Sequence, residues 1–327
     1  MHATIFLGAV AALSCAAAGA HAQTVPAGAP YPVKPIRMIV PFPPGGLSDG
    51  LARIIGQALT QEWGQQVLVE NRPGAGTTLA ADLVAKSPPD GYTLFFQDIN
   101  SQGINAGLYR KLPYDTLNDF APVAMASVSP LVLSIHPSLS ISSVKQLIAL
   151  AKARPGEINY GSSGSGAVLH LAGEMFRKQA GVDLVHVPYK GSPPAVTALL
   201  SGEVAVVFAT TGSVLPHVRA GRIRALGVTT AQRFALLPEL PPIADALPGY
   251  DLVLYQGILA PAKTPRDIVS RLNAEMNRIM ARPSAREAWA KLGAETLLLA
   301  PDEFAARYRD EVVRLSRFAG ELGVRVE

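Results

Sequence analysis

The sequence predicts a two-domain α/β protein with parallel β-strands, and three observations lead to this prediction. The chain has 327 residues, about twice the usual length of one domain. Short β-rich segments alternate with amphipathic helical segments, which is typical of βαβ units. Each half also places a Gly/Ser-rich turn between its first strand and the next helix. A charged fraction of 17% and an apolar fraction of 49% exclude a disordered chain and a coiled coil.

Net charge and cysteine content narrow the function classes further. The formal net charge of +4 is small for this length and does not indicate a nucleic-acid-binding protein. The single cysteine, Cys15, excludes an intrachain disulfide and a metal site with several cysteines.

Residues 1–22 are predicted to be a cleaved signal peptide. Ala3–Ala20 is apolar and uncharged, and Ala20-His21-Ala22 has the small-x-small pattern of a cleavage site, so we expect cleavage near Ala22. The segment has no Lys or Arg before it, and its 18 residues reach the lower limit of a membrane span, so a membrane anchor is the alternative. We expect export, with Cys15 removed together with the leader.

The secondary-structure elements follow from local patterns along the chain. Apolar stripes with helical spacing predict helices over 51–59, 144–151 and 168–175, which we expect to pack in the core. Near the C-terminus, Thr264 as N-cap and Pro265 as first residue predict a helix that runs to about Ala281. The predicted strands are Ile36–Pro41, Gln66–Glu70, Tyr92–Phe96, Val123–Ser127, Leu131–Ile135, Ile158–Tyr160, Leu184–Val187, Val204–Phe208, Ile223–Thr229 and Leu252–Leu259.

Two segments are expected to form a hinge between the halves. Ala121–Pro137 is predicted as two apolar strands broken by Ser129-Pro130. Leu226–Leu259 returns through a proline-rich loop. The predicted lobes are 31–127 plus 251–327 for lobe 1, and 128–250 for lobe 2.

The two Gly/Ser-rich turns are the main functional signal. One runs from Pro41 to Asp49 and the other from Tyr160 to Gly166, and each lies between a strand and a helix. The first N–H groups of a helix have no partner within it and lie at the positive end of its dipole, so each turn can bind an anion. Either turn alone is more often a plain helix cap. Together they predict a site for a small carboxylate, or for a dicarboxylate bound at both ends.

The glycine spacing in this sequence does not match the known motifs for nucleotide binding or for serine hydrolases. Leu169 occupies the third glycine position of a dinucleotide fingerprint, and no phosphate-binding GxxxxGK[ST] loop is present. Gly161–Ser165 ends in serine and therefore lacks the GxSxG pattern of a hydrolase. The scattered histidines have no metal-binding spacing.

Three polar residues near the turns are predicted to have supporting roles. His170 is expected to support the second turn by packing behind it rather than to act as a base. His186 is expected to point outward from its strand into solvent. Asp49, in the first turn of its helix, is expected to order its loop, since a carboxylate is favourable there.

Several motifs in fixed order resemble those of the periplasmic solute receptors of tripartite tricarboxylate transporters, the Bug or TctC-like family. The resemblance covers essentially the whole chain after the predicted leader. The motifs are Pro41–Gly46 with Asp49, Val69–Gly76, Pro89–Leu94, Leu112–Asp115, Asn159–Gly164, His186–Gly191 and Leu259–Pro261.

The resemblance implies a type II periplasmic binding fold: two Rossmann-like lobes joined by crossover strands, with a ligand cleft between them. It also implies that the two turns bind a ligand carboxylate through backbone amides, hydroxyls and water. No cofactor or metal is implied. The candidate ligand-binding residues are Pro44, Gly45, Gly46, Ser48, Asp49, Asp98, Ser101, Ser162, Ser163, Gly164, Gly166, His170, Ala209 and Thr210.

Three departures from the family pattern concern ligand identity. Leu47 replaces a common third glycine, and Gln97-Asp98 replaces Gly-Thr or Gly-Ser. Ala209 stands where many relatives have an aspartate. We hypothesise that Asp98 binds the distal end of the ligand and favours an amine, a hydroxyl or a neutral tail over a second carboxylate. The alternative is that Asp98 caps the following turn.

The predicted function is an exported, non-enzymatic receptor that captures a small carboxylated solute by lobe closure. We expect a monomer that acts with a membrane permease of this transporter family or as a sensor, and that binds no nucleic acid. The main alternative is an exported serine hydrolase that uses Ser162 or Ser163 with His170. A cytoplasmic effector-binding domain is disfavoured by the predicted leader.

Overall fold

The computed structural model describes residues 31–321, and these form a mixed β-sheet covered by helices. The strands are β1 Ile36–Val40, β2 Val67–Asn71, β3 Thr93–Asp98, β4 Phe120–Ile135, β5 Ile158–Ser162, β6 Leu184–Pro188, β7 Val206–Thr210, β8 Arg224–Val228, β9 Val253–Pro261 and β10 Glu295–Thr296. The helices are α1 Leu47–Trp63, α2 Thr78–Ala85, α3 Ile99–Leu108, α4 Val144–Ala153, α5 Val168–Ala180, α6 Ser192–Ser201, α7 Thr211–Arg219, α8 Arg266–Met280, α9 Pro283–Lys291 and α10 Pro301–Glu321.

The sheet contains two parallel groups joined by two antiparallel strands. The strand order is β2-β1-β3-β9-β4-β7-β5-β6, with β8 and β10 paired to β4. Strand β1 is parallel to β2 and β3, and β5 is parallel to β6 and β7. The predicted α/β fold with parallel units in each half is therefore confirmed. We call the part around β1–β3 lobe 1 and the part around β5–β8 lobe 2.

The predicted interruption at Ser129-Pro130 is wrong, because β4 is one continuous strand of 16 residues. Proline cannot donate to a ladder, so its place in a strand needs an explanation. Strand β4 pairs with β9 as far as Pro130 opposite Val253, and with β7 from Leu131 onward. Pro130 therefore lies where β4 changes partner, and its missing N–H is tolerated there.

Most of the other predicted elements are confirmed with small shifts. The remaining predicted strands agree within two residues at each end, and the short β10 was not predicted. The helix after Thr264 begins at Arg266 with Pro265 as its N-cap, one residue later than expected. The stripe over 51–59 packs inward as predicted, with Leu51, Ile55 and Leu59 fully buried.

Two further predictions concern the lobe boundaries and the N-terminal segment. The predicted lobe boundaries fall inside β4 and two residues before β9, and they stay a prediction. The predicted signal peptide, residues 1–22, lies outside the described residues. Within residues 31–321, none of the helices combines the length and the apolar character needed to cross a bilayer.

Candidate functional site

A narrow cavity lies between the lobes at the ends of the parallel strands. Its volume is about 20 Å³, the scale of a single water molecule. Residues of both lobes and of β9 line it, and we call it the inner cavity. The lining residues are Phe42, Gly46, Leu47, Ser48, Asp98, Ser163, Val168, Leu169, Ser192, Pro193, Thr210, Leu254 and Gln256.

The N-termini of five helices converge on the inner cavity. Lobe 1 contributes the starts of α1 and α3, and lobe 2 contributes the starts of α5, α6 and α7. No side chain caps α1, α5, α6 or α7 by a hydrogen bond. The first N–H groups of α1, α5 and α7 therefore remain available at the positive ends of their dipoles, whereas Pro193 and Pro194 at the start of α6 have no N–H. Among the lining residues Asp98 is the single ionisable one, so any attraction for an anion comes from backbone and hydroxyl groups.

The turn before α1, which we call loop 1 (residues 41–49), is fixed by the carboxylate of Asp49. Oδ2 of Asp49 accepts the Gly45 N–H at 3.0 Å, and Oδ1 accepts Asn71 Nδ2 at 2.9 Å and pairs with Arg53. Burial alone would raise the pKa of Asp49, but the bonds from Arg53, Gly45 and Asn71 keep this pKa below its ordinary value. Asp49 therefore orders loop 1 as predicted.

The turn before α5, which we call loop 2 (residues 160–166), is fixed by two histidines. Ser162 Oγ shares a hydrogen bond of 2.6 Å with His186 Nε2, and the Gly166 N–H donates to His170 Nδ1 at 3.3 Å. The two imidazole rings stack with centroids 4.1 Å apart. Burial, and then the neighbouring His170, lowers the pKa of His186 to about 4. His170 supports the loop as predicted, whereas the outward, solvated position predicted for His186 is wrong.

Ser163 lies between the inner cavity and a larger one near the surface. It is 8% exposed, and its Oγ has no hydrogen-bond partner among the described residues. Together with Phe42 it also lines the outer cavity, which has a volume of about 400 Å³. Because Phe42 and Ser163 line both cavities, they separate the inner cavity from the mouth of the cleft.

The lobes touch each other around the cleft. A Cβ atom on Gly76 of lobe 1 would lie 2.5 Å from the backbone oxygen of Ser165 in lobe 2. A Cβ atom on Gly191 of lobe 2 would lie 2.5 Å from Pro43 of lobe 1. Only glycine permits these two approaches, so the described conformation is a closed one.

Comparison with known proteins identifies the family. The family model described as "Tripartite tricarboxylate transporter family receptor" matches residues 51–324. The chain belongs to this receptor family. A relative from a Pseudomonas species, the UPF0065 protein of the tcbD-tcbE intergenic region, is 41% identical over 295 residues, which is 89% of this chain and 87% of the relative.

Solved structures agree with this assignment. The structure of BugD, described as a periplasmic binding protein, has a TM-score of 0.86 at 29% identity and covers 91% of this chain and 100% of its own. A Rhodopseudomonas palustris protein with adipate has a TM-score of 0.86 at 36% identity and coverages of 90% and 98%. MatC from the same organism, with bound malate, has a TM-score of 0.83 at 30% identity and coverages of 88% and 100%. The type II periplasmic binding fold and the receptor function are therefore confirmed.

The receptor brings some of the predicted site residues to the cavity walls and leaves others behind them. Gly46, Ser48, Asp98, Ser163 and Thr210 line the inner cavity, and Gly164 lines the outer one. The remaining predicted residues line neither cavity. Of these, Gly45, Asp49, Ser162, Gly166 and His170 support the two loops, and the Ser101 N–H bonds to Asp98.

Two predicted residues lie away from the cavities. Pro44 is exposed at the tip of loop 1 and lines neither cavity. Ala209 is fully buried in the apolar core of lobe 2, because its position on β7 alternates with that of Thr210, which lines the inner cavity.

Several residues of the inner cavity were not predicted. Ser192 and Pro193 begin α6, and a proline at the start of a helix is a signal that could have placed a third N-terminus here. Gln256 on β9 accepts a hydrogen bond from Ser48 Oγ at 3.0 Å. No local pattern distinguishes Gln256, since its position depends on how β9 crosses between the lobes.

Asp98 caps α3 and also lines the inner cavity. Its Oδ1 accepts the Ser101 N–H at 2.6 Å, so the capping role considered from the sequence is present. The side chain is 2% exposed. Burial raises the pKa of Asp98 to about 6, opposed by the hydrogen bonds from Ser101.

The geometry gives the serine hydrolase alternative no support. Ser162 pairs with His186 rather than His170, and it is fully buried without lining either cavity. Ser163 reaches the cavity but has no histidine partner. Within residues 31–321 there is also no group of three or more His, Cys, Asp or Glu side chains that could bind a metal ion.

Proposed function

We propose that this receptor is exported and captures a small carboxylated solute by closing its lobes around the site of the inner cavity, which would be wider with a solute bound than the water-sized space of the described conformation. The observation that carries the proposal is the convergence of five helix N-termini, four of them without a side-chain cap, on one closed cavity. Unpaired N–H groups at helix N-termini bind carboxylates without a basic side chain. The proteins with adipate and with bound malate have 36% and 30% sequence identity to this chain, and they support a carboxylated ligand.

The carboxylate would accept hydrogen bonds from the backbone of loop 1 and from hydroxyl groups of both lobes. Among these, Ser163 has a hydroxyl without a partner among the described residues, Thr210 shares a hydrogen bond with Ser213, and Ser48 would donate to the ligand on turning away from Gln256. Because the donors come from both lobes, one ligand completes bonds that neither lobe forms alone, and this difference favours the closed state. Asp98 would contact the distal, non-carboxylate end of the solute.

The proposal also includes the cellular location of the protein and its partner. The leader would be cleaved near Ala22 and release the protein into the periplasm. A permease of the tripartite tricarboxylate transporter family would receive the solute, or the closed receptor would signal to a sensor. Binding of this kind uses no nucleophile and no cofactor, so the proposed role is non-enzymatic, and we expect a monomer with lobes 31–127 plus 251–327 and 128–250.

The first test is to identify what the protein binds. We expect native mass spectrometry of protein purified without refolding to detect a small acid, and calorimetry with a panel of carboxylates to give one site. Ser163→Ala should weaken binding about tenfold, since it removes one hydroxyl donor from the cavity. The matched control is Ser270→Ala on the exposed surface of α8, which should bind as the wild type does.

Two results would overturn the proposal. One is the absence of binding to every carboxylate in the panel. The other is turnover of generic esters that Ser163→Ala abolishes, which would restore the hydrolase. A thermal-shift ranking of ligands that Asp98→Ala leaves unchanged would remove the distal-end role of Asp98 alone.

A further inference from the structure

Asp98 brings a negative charge into a site built for an anion. It is the single ionisable residue that lines the inner cavity, and it is 2% exposed. Its Oδ1 accepts the Ser101 N–H, which leaves Oδ2 for the cavity. Asp98 lines the same narrow cavity as Ser163 and Thr210, so a ligand bound by these residues lies beside Asp98.

Among the described residues, the lining of the inner cavity contains no cationic side chain that could neutralise Asp98. On α1, Asp49 is bound by Arg53, Asn71 and the Gly45 N–H. On α2, which packs against β3, Asp82 pairs with Lys86, and on α10 Arg307 lies over the ring of Tyr255. On α5, Glu174 accepts hydrogen bonds from Tyr160 and Arg177. The neighbouring His170 and His186 are neutral, because burial lowers the pKa of each. On α10, which packs against α3, Glu311 pairs with Arg314.

Two carboxylates in one buried site do not both stay ionised without a cation. A like charge within about 4–6 Å disfavours the charged form, and so does loss of water. Burial already raises the pKa of Asp98 to about 6 before any ligand enters. A second carboxylate would raise this pKa further, whereas an ammonium group on the ligand would lower it.

We propose that Asp98 determines which positive charge accompanies the ligand into the cavity: a proton for a simple carboxylate, and the ligand's own ammonium group for an amino acid. This inference rests on the proposed function. The proton comes from solvent and binds to Oδ2 of Asp98, because Oδ1 is occupied by Ser101. With malate or adipate, whose distal end is a second carboxylate, the protonated group then donates a hydrogen bond to that distal carboxylate. With an amino acid, Asp98 stays ionised and accepts from the ammonium group.

Calorimetry at pH 7.5 in buffers with different heats of ionisation measures this proton uptake directly. The probes are malate and adipate as simple carboxylates, and aspartate and glutamate as amino acids. We expect uptake of about one proton with the first pair and none with the second. Above pH 7, affinity for the simple carboxylates should fall about tenfold per pH unit.

Asp98→Asn separates the charge of Asp98 from its capping role. Asparagine also caps helices, so its oxygen can accept the Ser101 N–H and α3 should stay in place. We expect this variant to bind simple carboxylates without proton uptake and without pH dependence. The matched control is Asp267→Asn, an exposed aspartate in the first turn of α8, which should behave as the wild type does.

The outcomes distinguish this inference from the proposed function. Binding of malate or adipate without proton uptake in the wild type overturns the inference and leaves the receptor role intact. No binding of any probe, to the wild type or to Asp98→Asn, overturns both. If Asp98→Asn fails to fold, ¹³C NMR titration of the Asp98 carboxyl in the wild type decides: its pKa should rise by more than about two units on binding a simple carboxylate.

Discussion

Loops 1 and 2 have the same task but are fixed by different chemistry. Both precede an uncapped helix whose N–H groups face the inner cavity. Loop 1 is fixed by an ionised carboxylate, Asp49, with a cation and an amide as partners. Loop 2 is fixed by neutral imidazoles, His170 and His186. A site without basic side chains therefore still depends on ionisable groups behind it, and the two lobes should respond differently to pH.

Removing the carboxylate behind loop 1 should have the largest effect. Asp49→Ala deletes the acceptor of three bonds, and hydrogen bonds to charged groups contribute about 1.5–3 kcal/mol each at most. We expect the free energy of unfolding to fall by about 2–3 kcal/mol in urea denaturation, and carboxylate affinity to fall at least tenfold. Arg53→Ala is the control, since exposed pairs contribute about 0–1 kcal/mol. Equal losses in both variants would show that Asp49 does not fix the loop.

Removing the imidazole behind loop 2 should have a smaller effect. His186→Phe keeps an aromatic ring to stack on His170 and Tyr160 but loses the hydrogen bond to Ser162. We expect a loss of about 1 kcal/mol in the free energy of unfolding, and weaker ligand binding through loop 2. A loss as large as that of Asp49→Ala would contradict the difference between the loops.

Acid should weaken loop 2 before loop 1. The pKa of His186 is lowered from 6.5 to about 4, so the unfolded chain binds this proton first and stability falls as pH drops from about 6.5 to about 4. The lowered pKa of Asp49 keeps loop 1 ionised over the same range. We expect the melting temperature of the wild type to fall by a few degrees more than that of His186→Phe between pH 7 and pH 5. Parallel curves would mean that His186 is not the acid-sensitive group.

A change at the tip of loop 1 should have almost no effect. Pro44 is exposed and lines neither cavity, although its motif belongs to the family pattern. We expect Pro44→Ala to change the free energy of unfolding by less than about 0.5 kcal/mol and to leave ligand affinity unchanged. A clear loss of affinity would return Pro44 to the binding site.

Local patterns predicted the parts of the site that are local. The two Gly/Ser-rich turns and the loop-ordering role of Asp49 follow from a strand, a turn and a helix in immediate succession. We predicted His186 on the outer face of β6, because its apolar neighbours Val185 and Val187 were expected to point into the core. In the fold Val185 is 46% exposed, and His186 lies opposite Tyr160 on the adjacent strand. The hydrogen bond to Ser162 and the stacking on His170 hold the side chain of His186 on the inner face. The inward and outward positions along β6 are therefore the reverse of those expected.

The features that were not predicted depend on distant parts of the chain. Gln256 reaches the cavity because β9 pairs with both β3 and β4, more than 100 residues away in sequence. The unbroken β4 depends on partner strands that change at Pro130, and the sequence of β4 does not contain this information. Both follow from crossover strands, whose register is a property of the assembled sheet.

The paired crossover strands also determine how the receptor can move. Strands β4 and β9 run side by side and antiparallel, from Phe120 opposite Pro261 to Pro130 opposite Val253. Sliding one strand along the other would break the whole ladder, whereas bending or twisting the ribbon breaks no hydrogen bond. The lobes can therefore rotate about this ribbon by bending or twisting it, but they do not slide past each other. Closure by such a motion would give solutes with different tails the same closed outer surface, which a membrane partner could recognise without contacting the solute.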